Sequence, residues 1–248
     1  MFVTVCNKDY LIGFEVMLKS LIDNNPRVVN ENIPFTIISN DISEDDLFVS
    51  KQIHNNITIK NFNQTKYYEI GELKKQQNFF GEYFKYEIFS IDGVDKIIYL
   101  DSDVVILGNI DYLIDYEGEF GGVRDLYIDQ YNTGVLVIGK KYLNTNITND
   151  LISQTLIYGI TEHSDQDIIN KYFYDVITEI PISYNYLKTY SKSLFQNTGL
   201  PNHIKILHFI VKKPWQNKPL VLLEEGTLWQ ERYWFEYHSK ILKLKYNG

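Results

Sequence analysis

Cysteine is almost absent: Cys6 is the only one in the chain. A lone thiol excludes an intrachain disulfide and any cysteine-rich zinc site. Set in the apolar stretch Phe2–Cys6, it reads as a buried structural thiol. Basic residues are also in deficit, since 24 Lys+Arg against 32 Asp+Glu gives 24 − 32 = −8. That balance argues against a general nucleic-acid binder, while leaving room for a local basic pocket. No run is long and apolar enough to span a bilayer. The opening, Met1-Phe2-Val3-Thr4-Val5, lacks the basic and apolar regions of a secretory leader. The expectation is therefore a cytoplasmic protein. There is no internal repeat, low-complexity tract or Pro/Gly/Ser linker, so one domain over residues 1–248 is the simplest organisation.

What is present is ample core material: 44% hydrophobic and only 23% charged residues, a globular balance. Phe2–Cys6 reads as a strand, and Phe14, Met17, Leu18 and Leu21 recur at helical spacing up to Asn24-Asn25-Pro26. Pro34–Ser39 is a second strand. Ser43–Asp46 resembles a capping box that starts a helix to Ile53, and Ile57–Phe62 is a third strand. Strand and helix alternate, which predicts an α/β sheet with mostly parallel neighbours. Asn63–Gln77 reads as a polar loop, Phe80–Ile91 as a helix and Ile110–Ile114 as a short one. Gly121–Val123 and Tyr131–Ile138 supply strands, and Ile147–Tyr158 and Asp165–Tyr174 supply helices. Ile204–Phe209 is a late strand and Leu228–Leu244 a terminal helix rich in aromatics. Its basic residues are diluted by Glu231 and Glu236, so core packing is expected, with membrane contact at most peripheral.

The chain is organised around Lys96–Asp111. The apolar run Ile97–Leu100 delivers Asp101 and Asp103, with Ser102 between them, to a strand end. Residues two apart on a strand share a side. Two carboxylates there repel unless a cation lies between them or one is protonated. Oxygen ligands of this kind suit Mg or Mn. Two other readings fit the triplet. It can be a polar turn, or it can be the Asp-x-Asp of a haloacid-dehalogenase-type phosphatase, whose first aspartate is a nucleophile.

Other segments carry chemistry that would suit a metal-bound diphosphate. Asn7–Tyr10 follows the first strand and offers backbone N–H groups and an aromatic ring. Lys85 lies just before the metal strand. In Tyr131–Ile138, Asn132 and Gly134 are poor strand residues, which indicates a close ligand or a tight bend. Asp165 and Gln166 stand at a helix start, where the carboxylate caps the helix or holds sugar hydroxyls. Leu207–Trp215 joins His208 to Lys212, Lys213 and Pro214-Trp215. Imidazole completes a carboxylate site and biases it toward Mn, and lysine pairs with phosphate as a point charge.

Taken together, these segments resemble glycosyltransferase family 8, which includes glycogenin and bacterial lipopolysaccharide galactosyl- and glucosyltransferases. The ordered pattern is Asn7, Tyr10 and Gly13, then Tyr99-Leu100-Asp101-Ser102-Asp103 running on to Gly108-Asn109-Ile110. Asn132-Thr133-Gly134-Val135, Asp165-Gln166 and His208-Phe209…Lys213-Pro214-Trp215 follow. The resemblance implies a single GT-A domain, a Rossmann-like mixed, mostly parallel sheet flanked by helices. It implies a retaining, Mn2+-dependent hexosyl transfer from a UDP-sugar, with Mg2+ as the alternative ion and glucose or galactose favoured. The acceptor would be a glycan, lipid-linked glycan or protein hydroxyl, and the chain a homodimer in some settings.

By position, the resemblance assigns Asp101, Asp103 and His208 to the metal. Thr4, Val5, Asn7, Tyr10, Lys85, Ser102 and Lys213 fall to the nucleotide, and Asn132, Asp165 and Gln166 to the transferred sugar. Asp125 is a further candidate for a sugar hydroxyl. Two departures stand out. The interval from His208 to Lys213 is one residue shorter than the family's, and the glycine usual inside it is absent. The turn from Thr4 to Asn7 also looks one residue shorter than glycogenin's. Glycogenin-like self-glycosylation is a variant, with Tyr184, Tyr186 and Tyr190 in the Tyr-rich stretch Ser183–Ser191. A non-catalytic nucleotide-sugar binder is the other alternative.

Overall fold

A computed structural model describes residues 1–73, 81–190, 200–216 and 228–247. Phe2–Val5 (β1), Phe35–Ile38 (β2) and Ile57–Lys60 (β3) alternate with Leu11–Asn24 (α1), Pro26–Asn30 (α2) and Phe48–Ile53 (α3). These strands are short and apolar, and β2 is buried along its whole length, as parallel strands covered on both faces must be. After Tyr68–Leu73 (α4) and a long 3-10 helix, Gly81–Ser90, the chain enters Lys96–Leu100 (β4) and Val104–Ile106 (β5). Asp111–Ile114 (α5), Phe120–Arg124 (β6), Tyr131–Gly139 (β7), Thr145–Tyr158 (α6) and Asp165–Tyr172 (α7) follow. Thr178–Ile180 (β8), Tyr186–Leu187 (β9), Ile206–His208 (β10) and Leu228–Asn247 (α8) complete the described chain.

The main sheet has the order β3-β2-β1-β4-β7-β6-β8. β1 pairs in parallel with β2 and β4, while β7 runs antiparallel to both β4 and β6. β7 is thus the one reversed strand of this sheet. The chain leaves β1 on one side to build β2 and β3, then returns to its other side for β4. This reversal of direction is where open α/β sheets hold ligands, beyond the carboxyl ends of the strands. Asn7 and Asp101 follow the two strands that flank it. A small second sheet, β5-β10-β9, stands beside the first. It carries His208 at the end of β10, in register with Val104 of β5.

Several elements differ from the sequence reading, and α2, β8 and β9 were not expected at all. Gln64–Tyr67 and Tyr68–Leu73 are helical turns rather than loop. Asn63 starts them by accepting from the Thr65 N–H at 3.0 Å, and Tyr67 and Ile70 are buried as anchors. Residues 74–77 of the expected loop, and Phe80 of the expected helix, lie outside the described residues. Gly81–Ser90 winds as a 3-10 helix; it buries Tyr83, Tyr86, Ile88 and Phe89, a broader set than an α-helical stripe supplies. The late strand is shorter than expected, Ile206–His208.

Candidate active site

The two aspartates do not converge through a strand pleat. β4 ends at Leu100, and Asp101-Ser102-Asp103 is the turn into β5. That turn is pinned at both ends. Asp101 donates its N–H to the Gly134 carbonyl at 2.8 Å, and the Asp103 carbonyl accepts from the Phe209 N–H at 2.9 Å. The second bond brings β10 alongside, so His208 Nε2 lies 3.2 Å from Asp103 Oδ1 and 3.7 Å from Asp101 Oδ2. Ligand atoms of Asp101, Asp103 and His208 all fall within 4.8 Å of one another. Two carboxylates and an imidazole fit a hard-to-borderline divalent cation such as Mn2+ or Mg2+.

Glycine explains how the imidazole gets in. A Cβ on Gly134 would lie 2.3 Å from His208 Cε1. The glycine that looks out of place in a strand is therefore where the ring packs. Similarly, a Cβ on Gly13 of α1 would lie 2.7 Å from the Ser102 carbonyl and 2.5 Å from Trp215 Cη2. Both glycines let separate elements close on the aspartate turn.

Two lysines balance the acidic cluster. Lys85 Nζ is 3.2 Å from Asp101 and 3.4 Å from Asp165, and it donates to Thr133 Oγ1 at 3.1 Å. Lys213 Nζ pairs with Asp103 Oδ2 and donates to the Phe209 carbonyl at 3.0 Å. Burial pushes the Asp103 carboxyl up, but His208 and Lys213 outweigh that and hold it below the usual carboxylate range. Burial opposes charge on Lys85 too, and Asp101 and Asp165 more than restore it. At Asp165 burial wins: its carboxyl is raised despite Lys85, with Asp101 adding to the rise.

At the start of α7, Gln166 Oε1 accepts from Asn132 Nδ2 at 3.1 Å, and Asp165 Oδ2 accepts from Thr133 Oγ1 at 3.2 Å. Ser164, immediately before Asp165, has φ +51. A non-glycine residue in this region marks local strain of the kind that clusters at functional sites. The residue missed from sequence is Asn185. It is fully buried; its Oδ1 lies 2.9 Å from His208 Nδ1 and its Nδ2 donates to Asn132 Oδ1 at 2.7 Å. It joins the imidazole to the Asn132–Gln166 pair. Its place in a Tyr-rich stretch gave no local signal.

A cleft of about 590 Å³ opens over the turn, between Asn7–Tyr10, Ser39–Asp41 and the start of the 3-10 helix. Of the expected residues, Val5, Asn7, Tyr10, Lys85, Asp101, Ser102, Asp103, Asp165 and Lys213 line it. Thr4, Asp125, Asn132, Gln166 and His208 are not part of that lining. Thr4 is fully buried with its hydroxyl unpartnered. Asp125 is already engaged by the Tyr127 N–H and the Tyr190 hydroxyl. Asp9, Asp41, Phe62 and Phe84 join the lining without having been expected. Cys6 borders it as a thiol that burial pushes far above its ordinary range, in keeping with a structural role.

Residues 2–218 match the family described as Glycosyl transferase family 8, and the chain belongs to it. It is 24% identical over 257 residues to glycosyltransferase GlyB of Streptococcus pneumoniae serotype 4, covering 92% of this chain and 59% of that protein. It is 24% identical to the lipopolysaccharide 1,2-glucosyltransferase of Escherichia coli, covering 85% and 71%. The chain spans only 48% of a further relative, GlyF of the same streptococcus, so it corresponds to about half to three fifths of these two streptococcal relatives. Among solved structures, the galactosyltransferase LgtC with donor and acceptor sugar analogs superposes with a TM-score of 0.74 at 19% identity, over 96% of this chain and 95% of that one. The fold is therefore GT-A, as the resemblance implied, with the mostly parallel α/β sheet that the alternation of elements predicted.

Proposed function

We propose that this chain transfers a hexosyl group, glucose or galactose, from a UDP-sugar to a hydroxyl acceptor with retention of configuration, using Mn2+ or, less well, Mg2+. One observation carries the reading: Asp101, Asp103 and His208 converge at the sheet's switch point, flanked by Lys213 and Lys85. Names of relatives that denote glucosyl and galactosyl transfer support the choice of hexose.

A divalent ion at that triad would offset the negative charge of the departing nucleoside diphosphate. Lys213, paired with Asp103, would turn to the diphosphate when a donor enters. Tyr10, Val5 and Asn7 form the wall that takes the nucleoside. Lys85 and Thr133 fix the Asp165 carboxylate, which with Gln166 and Asn132 faces the sugar and stabilises positive charge at its anomeric centre. The acceptor hydroxyl attacks on the face the phosphate leaves. Asp165 is the residue available for a covalent intermediate on the alternative, double-displacement route. Acceptors of the glycan, lipid-linked glycan or protein classes all suit an open cleft.

Self-glycosylation is less favoured. Tyr186 and Tyr190 are buried, Tyr184 stacks on Tyr112 at 5.1 Å, and Ser191 lies outside the described residues. Incubation with UDP-glucose or UDP-galactose and Mn2+ tests the proposal. UDP release that chelator abolishes supports it; release of inorganic phosphate from phosphomonoesters favours a phosphatase. Binding without turnover favours a sugar-nucleotide binder, and hexose increments in intact mass favour self-glycosylation.

A further inference from the structure

The turn that carries Lys213 is held in a conformation its own residues disfavour. Val211 has φ +67, where a β-branched side chain is a genuine outlier. Such backbone persists only when its surroundings over-determine it. The surroundings here converge on one residue, Lys188, which follows β9. Its N–H donates to the His208 carbonyl at 3.0 Å and its Nζ donates to the Lys212 carbonyl at 2.7 Å. The ammonium is itself held from the far side by Glu231 of α8, at 2.8 Å. Both side chains are buried, Glu231 completely. Gln230 adds a bond of 2.7 Å to the Lys188 carbonyl, and Trp215 packs against Trp234 with ring centroids 5.7 Å apart.

We propose that the Lys188–Glu231 pair is a positioning strut through which α8 holds the Val211–Lys213 turn, and so aims Lys213 at the donor's diphosphate. Bare packing of α8 does not need this pair, because well-packed apolar side chains usually serve a buried interface as well as an ion pair does. What the ammonium adds is a directed bond to one carbonyl, one residue before Lys213. α8, beyond residue 218 where the family match ends, thereby becomes part of the donor site. The role of Lys213 rests on the transferase reading above; the strut itself does not.

The test replaces the pair by Lys188→Met/Glu231→Leu, which keeps volume and removes the strut. Amide exchange across residues 209–213 is expected to accelerate about tenfold as local opening becomes easier, with the melting temperature largely kept. Glu231→Gln, which retains the side chain's shape, is expected to accelerate the same amides by a smaller factor. It serves as the readout if the double variant does not fold. With Mn2+ present, UDP affinity is expected to fall about tenfold, the scale at which supporting contacts act on a site. That loss should disappear in a Lys213→Ala background, because a strut acting through Lys213 has nothing left to aim. Unchanged exchange across 209–213 in either folded variant overturns the strut whether or not UDP binds. A loss of UDP affinity that adds in full to Lys213→Ala overturns its action through Lys213. Wild-type protein that binds no UDP instead sinks the transferase reading, and exchange alone then decides the strut.

Discussion

Asn185 uses both ends of its amide, on His208 Nδ1 and Asn132 Oδ1. The amide oxygen lies beside Nδ1 and fixes the ring so that Nε2 faces Asp101 and Asp103. The amide nitrogen orients Asn132, whose own Nδ2 then points at Gln166. Asn185→Leu fills the space but leaves the imidazole Nδ1 buried without a partner, while the Asn132 oxygen keeps the Gly134 N–H. A buried group left unpaired costs about 1–3 kcal/mol, so a drop in melting temperature is expected by calorimetry. Loss of the partner that orients a ligating histidine typically weakens metal binding about 10–100-fold, measurable by Mn2+ titration. Asp103→Asn should act more directly. It removes one carboxylate of the proposed metal triad and the partner of Lys213, and on that reading UDP release should fall at least about 100-fold. Asp103 and His208 were legible in the sequence because each sits in a short pattern of chemically marked residues. Asn185 was not, because its meaning comes from a partner 23 residues away.

The same contrast holds for elements. Strands β1 to β4 were legible since their apolar runs are bounded by polar turns. The strand pleat was the wrong reason for Asp101 and Asp103 sharing a side, because the carboxylates reach one point in the turn after β4 rather than by alternation. The winding of Gly81–Ser90 was illegible for another reason: residues buried on several sides erase the period that tells helix types apart. Two predictions belong to this scale. Gly134→Ala drives a Cβ into the His208 ring, with 2.3 Å to Cε1. Circular dichroism should show the fold retained while UDP release collapses, and destabilisation of about 1–3 kcal/mol is expected from overpacking. The second concerns α1 against α8. Glu15 is buried on α1 and its partner there is Lys245, at 2.9 Å. Burial raises its carboxyl above the ordinary value, and Lys245 only partly offsets this. A raised carboxyl binds its proton more tightly in the fold than in the unfolded chain. Its contribution therefore falls as pH rises from the unfolded value through the folded one, and stays low above it. Glu15→Gln removes that fall. The melting temperature of the variant relative to wild type should climb from about pH 4 toward neutrality; a difference that stays flat, or declines, rejects the assignment.

The whole molecule concentrates opposing charges at one end of its sheet. Asp101, Asp103 and Asp165 meet Lys85 and Lys213 there, within a chain whose formal charge is −8. The lysines serve as counter-ions to the aspartates. A cation entering alone must compete with Lys213 for Asp103, and a diphosphate entering alone meets the aspartates without a bridging charge. Each ligand lowers the electrostatic cost of the other, which is positive coupling between two sites that share a carboxylate. Thermal unfolding reads this coupling. Ligand that binds only the folded state at about 100 times its Kd adds about 2.7 kcal/mol. For a chain of this length that amounts to about 5–10 °C. Mn2+ and UDP together should give a rise of that size, with either alone giving far less than half of it. In Asp103→Asn the combined rise should shrink to the sum of the separate ones. Additive shifts in the wild type would mean that metal and nucleotide bind independently, and the shared-carboxylate arrangement would then have to be abandoned.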